Sequence, residues 1–504
     1  MNKTLKGIIG GTVLLAALGG VLVFLNKTEP APEEESSYDN GLDETPLWHA
    51  HADDINRIVV EKPDGSSYAA KRRIDKTKTT DLDGNEVVED ITNYILEGYE
   101  DLPMNVTGIR TLATRSPELA STGTVVEHAS KEDLARFGLD KPVKVTYSVD
   151  QNDDIVFLIG GSTPIDSQRY LCMEGSDTIY TVNGTAMDPF LEDETYYLGT
   201  TLKAEQAEDD DTVVESVRIE RKDLDYDFYF EYEPFYSENS NGGSMAKHVM
   251  KEPIYALINA DKSAAATHGI YGLTASEIIL PHPTDADEKK YGFADPFAVV
   301  TTKTDKGDTW VFSLGDSYQD EDGNTCYYGM LDLGDDGINC IYGFKADDIS
   351  YDNLQAEDII SRNVVDTFVW DIGSMTYEAD GTKLEFSGIG SDKSDYVLKY
   401  NGKEQDEDGL ERYRKLYTYV LQTKAEEIVY GDVDLPDEPM AKVSLKRQDG
   451  QHGYDLEFYD AGDMKAYISV NGDVRFRCRK SYVETLISNI KIFDDTDKEF
   501  TMTW

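Results

Sequence analysis

The residues best suited to chemistry form a few local clusters. His49, His51, Asp53 and Asp54 are the right types to ligate zinc, yet their spacing fits no zinc motif and the chain contains no H-E-x-x-H. Three stretches carry a D-x-D-G core suited to calcium: Asp81-Leu82-Asp83-Gly84, Asp320-Glu321-Asp322-Gly323 and Asp406-Glu407-Asp408-Gly409. A calcium loop also needs an acidic first ligand and a closing glutamate. The first position falls at Thr79, Tyr318 or Glu404 and the last at Asp90, Gly329 or Lys415, so no copy is complete. Asp-Gly hairpin turns explain these stretches more simply, and weak surface calcium binding is the only cofactor chemistry they leave open.

Nucleophile motifs are equally incomplete. Neither Gly160-Gly161-Ser162 nor Gly388, Gly390 and Ser391 makes a G-x-S-x-G elbow, and both read as turns. No Gly-rich phosphate loop is present. With 98 acidic residues, no carboxylate pair can be singled out for glycoside hydrolysis. The run from Tyr226 to Tyr236 could form an aromatic ligand platform through Tyr226, Tyr229 and Phe230, although its alternation suits a strand buried on one face. Cys172, Cys326, Cys340 and Cys478 make no CxxC pair and fall in strand-like stretches, which favours buried free thiols, with a Cys326–Cys340 bridge as the alternative. No catalytic, cofactor-binding or metal-binding residue is assigned, and the chain reads as a non-enzyme.

The elements that would position any site repeat along the chain. Phe137-Gly138-Leu139-Asp140-Lys141-Pro142 precedes the strands VKVTYSV, IVFLIGG, RYLCMEG and DTIYTV. Tyr291-Gly292-Phe293-Ala294-Asp295-Pro296 precedes FAVVTTKT, WVFSLGD, CYYGMLDLG and NCIYGF. A diverged third series follows Asp437-Glu438-Pro439, with Asn471-Gly472 as its strongest hairpin signal. Each series is preceded by a strand–turn–strand hairpin and a helical stretch: within 106–121, near 259–276, and at LERYRKLYTYVLQTKAEEI. In the last of these, Leu410, Tyr413, Leu416, Tyr417, Val420 and Leu421 share one face. Each copy closes with a short helix, such as SYVETLISNI. The expected fold class is α+β: three tandem β-rich repeats of about 140–150 residues, each a hairpin, a helix, a four-strand meander and a short helix, after an N-terminal transmembrane helix.

The membrane expectation rests on Gly7–Leu25, GIIGGTVLLAALGGVLVFL, which holds no charge and would span about 28 Å as a helix. Lys3 and Lys6 precede it and acidic residues follow, which places residues 1–6 in the cytoplasm and the body outside. The stretch exceeds a usual signal-peptide core, so an uncleaved single-pass anchor is preferred to cleavage. Residues 26–50, with Pro30, Pro32 and an acidic run, read as a linker. The repeats then occupy 51–200, 212–356 and, diverged, 366–494. The formal net charge of −50 repels phosphate backbones and excludes nucleic acid as a partner.

The pattern of Phe137-Gly138-Leu139-Asp140-Lys141-Pro142, Leu158-Ile159-Gly160-Gly161, Tyr170 and Ile179-Tyr180 resembles a bacterial family known as domain of unknown function 4340. Tyr291-Gly292-Phe293 with Asp295-Pro296, Leu314-Gly315, Tyr328 and Ile341-Tyr342 resembles it again, so the likeness spans most of residues 53–360. The third copy lacks the leading aromatic–glycine element and has Tyr459-Asp460 where the glycine would fall. The resemblance implies one N-terminal anchoring helix and an association with ABC transporter subunits of the gliding-motility type, and it brings no catalytic residues. The expectation is therefore a membrane-tethered extracytoplasmic binding or scaffold protein, an accessory part of an ABC-transporter-linked envelope complex. Its partners would be the cell membrane and transporter subunits or other envelope proteins. A cell-surface glycan-binding or adhesin-like module is the alternative, and an extracellular hydrolase ranks last.

Overall fold

A computed structural model describes residues 44–80, 86–115, 119–150, 153–164, 167–235, 245–334 and 338–504. The expected anchor at 7–25, the linker through residue 43 and Asp81–Gly84 lie outside these residues. Among the described residues no helix is long and apolar enough to cross a membrane.

The described residues build three nine-stranded antiparallel sheets. The first contains β1 (Thr45–Pro46), β2 (Ile55–Glu61), β3 (Ser67–Thr80), β4 (Glu86–Leu96), β5 (Ala120–Val126), β6 (Val143–Val149), β7 (Ile155–Ser162), β8 (Gln168–Met173) and β9 (Ile179–Asn183), in the order β1-β5-β9-β8-β7-β6-β2-β3-β4. The second contains β10 (Val214–Arg221), β11 (Phe228–Tyr232), β12 (Met245–Glu252), β13 (Ala256–Asn259), β14 (Glu277–Pro281), β15 (Ala298–Thr304), β16 (Thr309–Gln319), β17 (Thr325–Asp332) and β18 (Ile338–Lys345), in the order β13-β12-β11-β10-β15-β16-β17-β18-β14. The third contains β19 (Ile372–Ala379), β20 (Thr382–Ile389), β21 (Val397–Tyr400), β22 (Lys403–Glu404), β23 (Glu427–Ile428), β24 (Ala441–Arg447), β25 (Tyr454–Gly462), β26 (Lys465–Val470) and β27 (Asp473–Arg479), in the order β22-β21-β20-β19-β24-β25-β26-β27-β23.

The three orders follow one rule. The first hairpin strand (β2, β10, β19) lies beside the first meander strand (β6, β15, β24), so hairpin and meander form one sheet. The last meander strand (β9, β18, β27) pairs with a strand that precedes the meander in sequence (β5, β14, β23). Period-two patterning sets the faces: in β24, Ala441, Val443 and Leu445 are buried while Lys442 and Lys446 are exposed. Asn471 and Gly472 both have positive φ, 55° and 93°, which makes the tight turn between β26 and β27.

By contacts the chain divides into two compact units, one of residues through Ser67 with Leu112–Leu191, the other of Tyr68–Thr111 with Glu192–Trp504. In the first, Tyr147, Phe157 and Phe190 meet edge-on or tilted at 5.6–6.3 Å, and Trp48 stacks on Tyr147 at 5.3 Å. This packing corrects the linker expectation at its far end. Leu47 donates to the Leu119 carbonyl, and Thr45 and Pro46 pair with Ser121 and Ala120, because Trp48 has a buried ring to pack against.

In the second unit the helix Glu407–Leu421 buries Tyr413, Leu416, Tyr417, Tyr419 and Val420, and Tyr419 stacks on Tyr482 of the helix Lys480–Lys491 at 5.0 Å. The expected helix through Ile428 stops at Leu421, since Glu427 and Ile428 pair with Arg477 and Phe476 as β23. The helices Val106–Thr114 and Ala260–Thr267 are likewise shorter than the stretches 106–121 and 259–276.

The aromatic–glycine motif is a physical lock in both copies. In the first unit, Ser130 and Asp133 form a capping box on the helix Lys131–Arg136; Gly138 then turns left-handed at φ 71°, and the Phe137 carbonyl accepts from Gly161 N–H at 2.9 Å. In the second unit, Thr284 and Asp287 cap Asp285–Lys290, Gly292 turns at φ 91°, and the Tyr291 carbonyl accepts from Asp316 N–H at 2.9 Å. A Cβ at Gly160 would lie 2.5 Å from the Phe137 carbonyl oxygen, so that glycine admits the approach. Gly160-Gly161-Ser162 is therefore the irregular end of β7, where the register shifts, and not a free turn.

Candidate functional site

The candidate site is a cleft of about 800 Å³ in the second unit, walled by Pro103–Thr107, by Glu192–Thr201 and by the start of β14. Each wall is fixed by local chemistry. Asn105 folds back over the helix Val106–Thr114: its Oδ1 accepts from Gly108 N–H at 2.9 Å and its Nδ2 donates to the Tyr196 carbonyl at 3.1 Å. Any side chain at Gly108 would strike the Asn105 amide. Met104 bridges to Leu198, Asn105 N–H donates to the Tyr197 carbonyl at 2.9 Å, and Gly199 N–H donates to the Pro103 carbonyl at 2.6 Å, so the first two walls are one short ladder. Thr201 in turn bridges to Thr274, just before β14.

Burial separates two neighbouring tyrosines. Tyr197 is fully buried and anchors the ladder, whereas Tyr196 packs edge-on against it at 5.2 Å and remains 50% exposed. Beneath the ladder, Tyr99 stacks on the His282 ring at 5.4 Å, His282 Nε2 meets Asp101 Oδ1 at 3.0 Å, and the Tyr99 hydroxyl donates to Glu194 Oε1 at 2.8 Å. Burial, then the Glu194 carboxylate, pushes the Tyr99 phenol up to about 12.

The β14 wall is tied to the aromatic–glycine lock. Tyr291 meets Tyr328 edge-on at 4.7 Å, Tyr328 stacks on Tyr318 at 4.5 Å, and the Tyr318 hydroxyl donates to Glu277 Oε1 at 2.7 Å. Burial, then the Glu277 carboxylate, raises the Tyr318 phenol far above its ordinary range, so it stays a donor. Gly343 is the residue that gives the Tyr318 hydroxyl room.

Glu192, Asp193 and Glu277 line the cleft, and among the described residues no lysine or arginine does. The surface is thus acidic, hydrogen-bonding and partly aromatic. It suits a polar or cationic ligand, and among the described residues no cysteine, serine or histidine lines it.

Among the described residues, none of the clusters singled out by residue type converges on this cleft. Among the described residues no group of three or more His, Cys, Asp or Glu could hold a metal, so His49, His51, Asp53 and Asp54 do not assemble a centre. Asp320 spends its carboxylate within its own turn, accepting from Asp322 N–H, Asn324 N–H and Asn324 Nδ2. Asp406 is no hairpin turn; it caps the helix Glu407–Leu421 by accepting from Gly409 N–H at 3.0 Å. All four cysteines are free and buried, and burial pushes the Cys340 and Cys478 thiols up to about 12.

The aromatic platform is also corrected. Phe228 and Phe230 are fully buried on the core face of β11, Tyr226 stacks on Tyr430 at 5.4 Å, and Tyr229 lies under the Arg218 guanidinium at 4.9 Å. Within β11 alternation sets Tyr229 on the face opposite Phe230, and Phe230 is buried, so Tyr226, Tyr229 and Phe230 form no common surface. Sequence reasoning missed Glu192, Asp193 and Tyr196, which share one segment, and Glu277, which comes from another. The Asn105-x-x-Gly108 spacing, a helix start, is the one local signal near them.

Residues 96–221 match the family model of a domain of unknown function (DUF4340). The match takes in Pro103–Thr107 and Glu192–Thr201, two of the three cleft walls, and leaves the second aromatic–glycine copy outside. No match was found among curated proteins or among solved structures.

Proposed function

We propose that this chain is a membrane-tethered extracytoplasmic binding or scaffold protein, an accessory component of an ABC-transporter-linked cell-envelope complex. The cleft walled by Asn105, Tyr196 and Glu277 is its docking place for a partner segment.

The observation that carries this reading is the chemistry of the cleft: three carboxylates and a half-exposed tyrosine on walls held from behind by hydrogen bonds. A lysine- or arginine-bearing segment suits such walls, because carboxylates receive its charge and the Tyr196 ring its stem. The uncharged stretch Gly7–Leu25 supplies the tether and the acidic residues after it the reach. The transporter association rests on the family resemblance alone.

Co-purification of the full chain from membranes in mild detergent tests the proposal. The expected result is recovery with transporter subunits or another envelope protein, reduced when Tyr196→Ala and Glu277→Gln are combined. Recovery of the chain alone contradicts it.

A further inference from the structure

The cleft is an interrupted strand pairing. Leu273–Ala275 runs antiparallel to Thr200–Leu202: Thr201 stands opposite Thr274, Leu202 N–H donates to the Leu273 carbonyl at 2.8 Å, and Ala275 N–H donates to the Thr200 carbonyl at 2.8 Å. Ser276 N–H then donates the other way, to Gly343 of β18 at 2.8 Å, so β18 and Thr200–Leu202 lie on opposite edges of this stretch. Carried on, the first pairing would set Leu198 opposite Glu277. Leu198 pairs with Met104 instead, and Gly199 N–H donates to the Pro103 carbonyl at 2.6 Å. The two strands are closed at Thr201 and Thr274 and open at Leu198 and Glu277. Leu198–Thr201, Glu277 and Ile278 line the opening.

The opening leaves main-chain groups without partners. In a strand the N–H and C=O of one residue point to the same edge, so Thr200, whose carbonyl meets Ala275, turns its N–H toward the opening as well. Leu198, two residues back, turns its carbonyl there. Among the described residues neither Thr200 N–H nor the Leu198 carbonyl has a hydrogen-bond partner. On the facing wall, β14 ends the second sheet, so no strand of that sheet covers its outer edge.

We propose, resting on the docking role of this cleft, that the opening receives an extended, lysine- or arginine-bearing segment of a partner protein, added as a strand between Leu198–Thr200 and Glu277–Ile278. Two independent features select this occupant. Unpaired N–H and C=O groups on a strand edge are met by another strand, whereas a helix has already bonded its own main chain. The exposed Glu192 and Glu277 carboxylates then call for positive charge, with no lysine or arginine among the described lining residues to supply it. Alternate side chains of an added strand carry that charge to one face.

Hydrogen exchange of the full chain in mild detergent, read at the Thr200 amide by mass spectrometry, tests this with four probes. They are a terminally blocked heptapeptide of alternating valine and lysine, its fully N-methylated form, a helical alanine–lysine peptide of equal charge, and spermidine. The valine–lysine peptide is expected to slow exchange at Thr200 at least about tenfold. N-methylation keeps the charges and removes the N–H donors, and is expected to weaken binding about tenfold. Spermidine and the helical peptide are expected to leave Thr200 unprotected. Glu277→Gln is expected to weaken the valine–lysine peptide about two- to fivefold. Thr200 exchange unchanged by that peptide, equal protection by any other probe, or an affinity indifferent to Glu277→Gln would each overturn the proposal. Those results leave the docking role standing; that role fails separately, when the full chain is recovered from membranes without a partner.

Discussion

The Tyr318 hydroxyl donates to Glu277 Oε1 at 2.7 Å, and through that bond the wall of the cleft is held by the stack of Tyr318 on Tyr328. Glu277 is therefore a pre-set carboxylate and not a free surface side chain. Tyr318→Phe keeps the ring stack and removes only the donor, which should cost about 1 kcal/mol in urea unfolding. Gly343→Ala should cost more, since its Cβ would collide with the Tyr318 hydroxyl. Equal stabilities for Tyr318→Phe and the parent would show that the bond contributes nothing.

The capping boxes of the two aromatic–glycine locks give a matched pair of tests. Ser130→Ala and Thr284→Ala each leave a helix N-terminus uncapped and should each cost about 1 kcal/mol. Chemical denaturation of the single variants reads this directly; a loss in only one would mean that the two copies are not physically equivalent.

Thiol accessibility follows from burial. In the native protein at pH 8, a thiol reagent should label none of Cys172, Cys326, Cys340 and Cys478, and after denaturation without reductant it should label all four. Two missing thiols after denaturation would mean a Cys326–Cys340 bridge instead.

His128 gives a pH signature. Its Nδ1 lies 2.8 Å from Asp177 Oδ2, and this hydrogen bond, then the carboxylate's charge, raises the imidazole above its ordinary value and lowers Asp177 below its own. A raised histidine contributes stability that is complete below its unfolded pKa and is lost as pH rises through the folded one. The lowered aspartate contributes stability present above its unfolded pKa and lost as pH falls through its folded one. The pair thus stabilises in mildly acidic solution and fades toward alkaline pH, by a small amount because both groups are exposed. An NMR titration should place His128 above 6.5 and return it toward that value in Asp177→Asn; a His128 midpoint at or below 6.5 would contradict the geometry.

Much of the fold is legible in local sequence because its causes are local. Alternation in AKVSLKR marks β24, Asn471-Gly472 marks the turn between β26 and β27, and Tyr413, Leu416, Tyr417 and Val420 mark a helix face. The edge strands are not legible. Glu427–Ile428 is too short to show a period and becomes strand only because Arg477 and Phe476 stand opposite. Glu277–Pro281 is covered by no repeat signal and is set by its pairing with β18. The cleft fails to show for the same reason: Asn105, Tyr196 and Glu277 are brought together by tertiary pairing. Conversely, the residues conspicuous by type, such as Asp320 and Asp406, are occupied in turns and caps.

The cleft at Tyr196 is proposed to receive a partner in the cell envelope. A photo-cross-linking residue placed at position 196, with position 389, also exposed, as the control, distinguishes a docked partner from random capture. A discrete adduct with an envelope protein is expected from position 196 and none from 389, reduced by Glu277→Gln. The same faint adducts from both positions would contradict it.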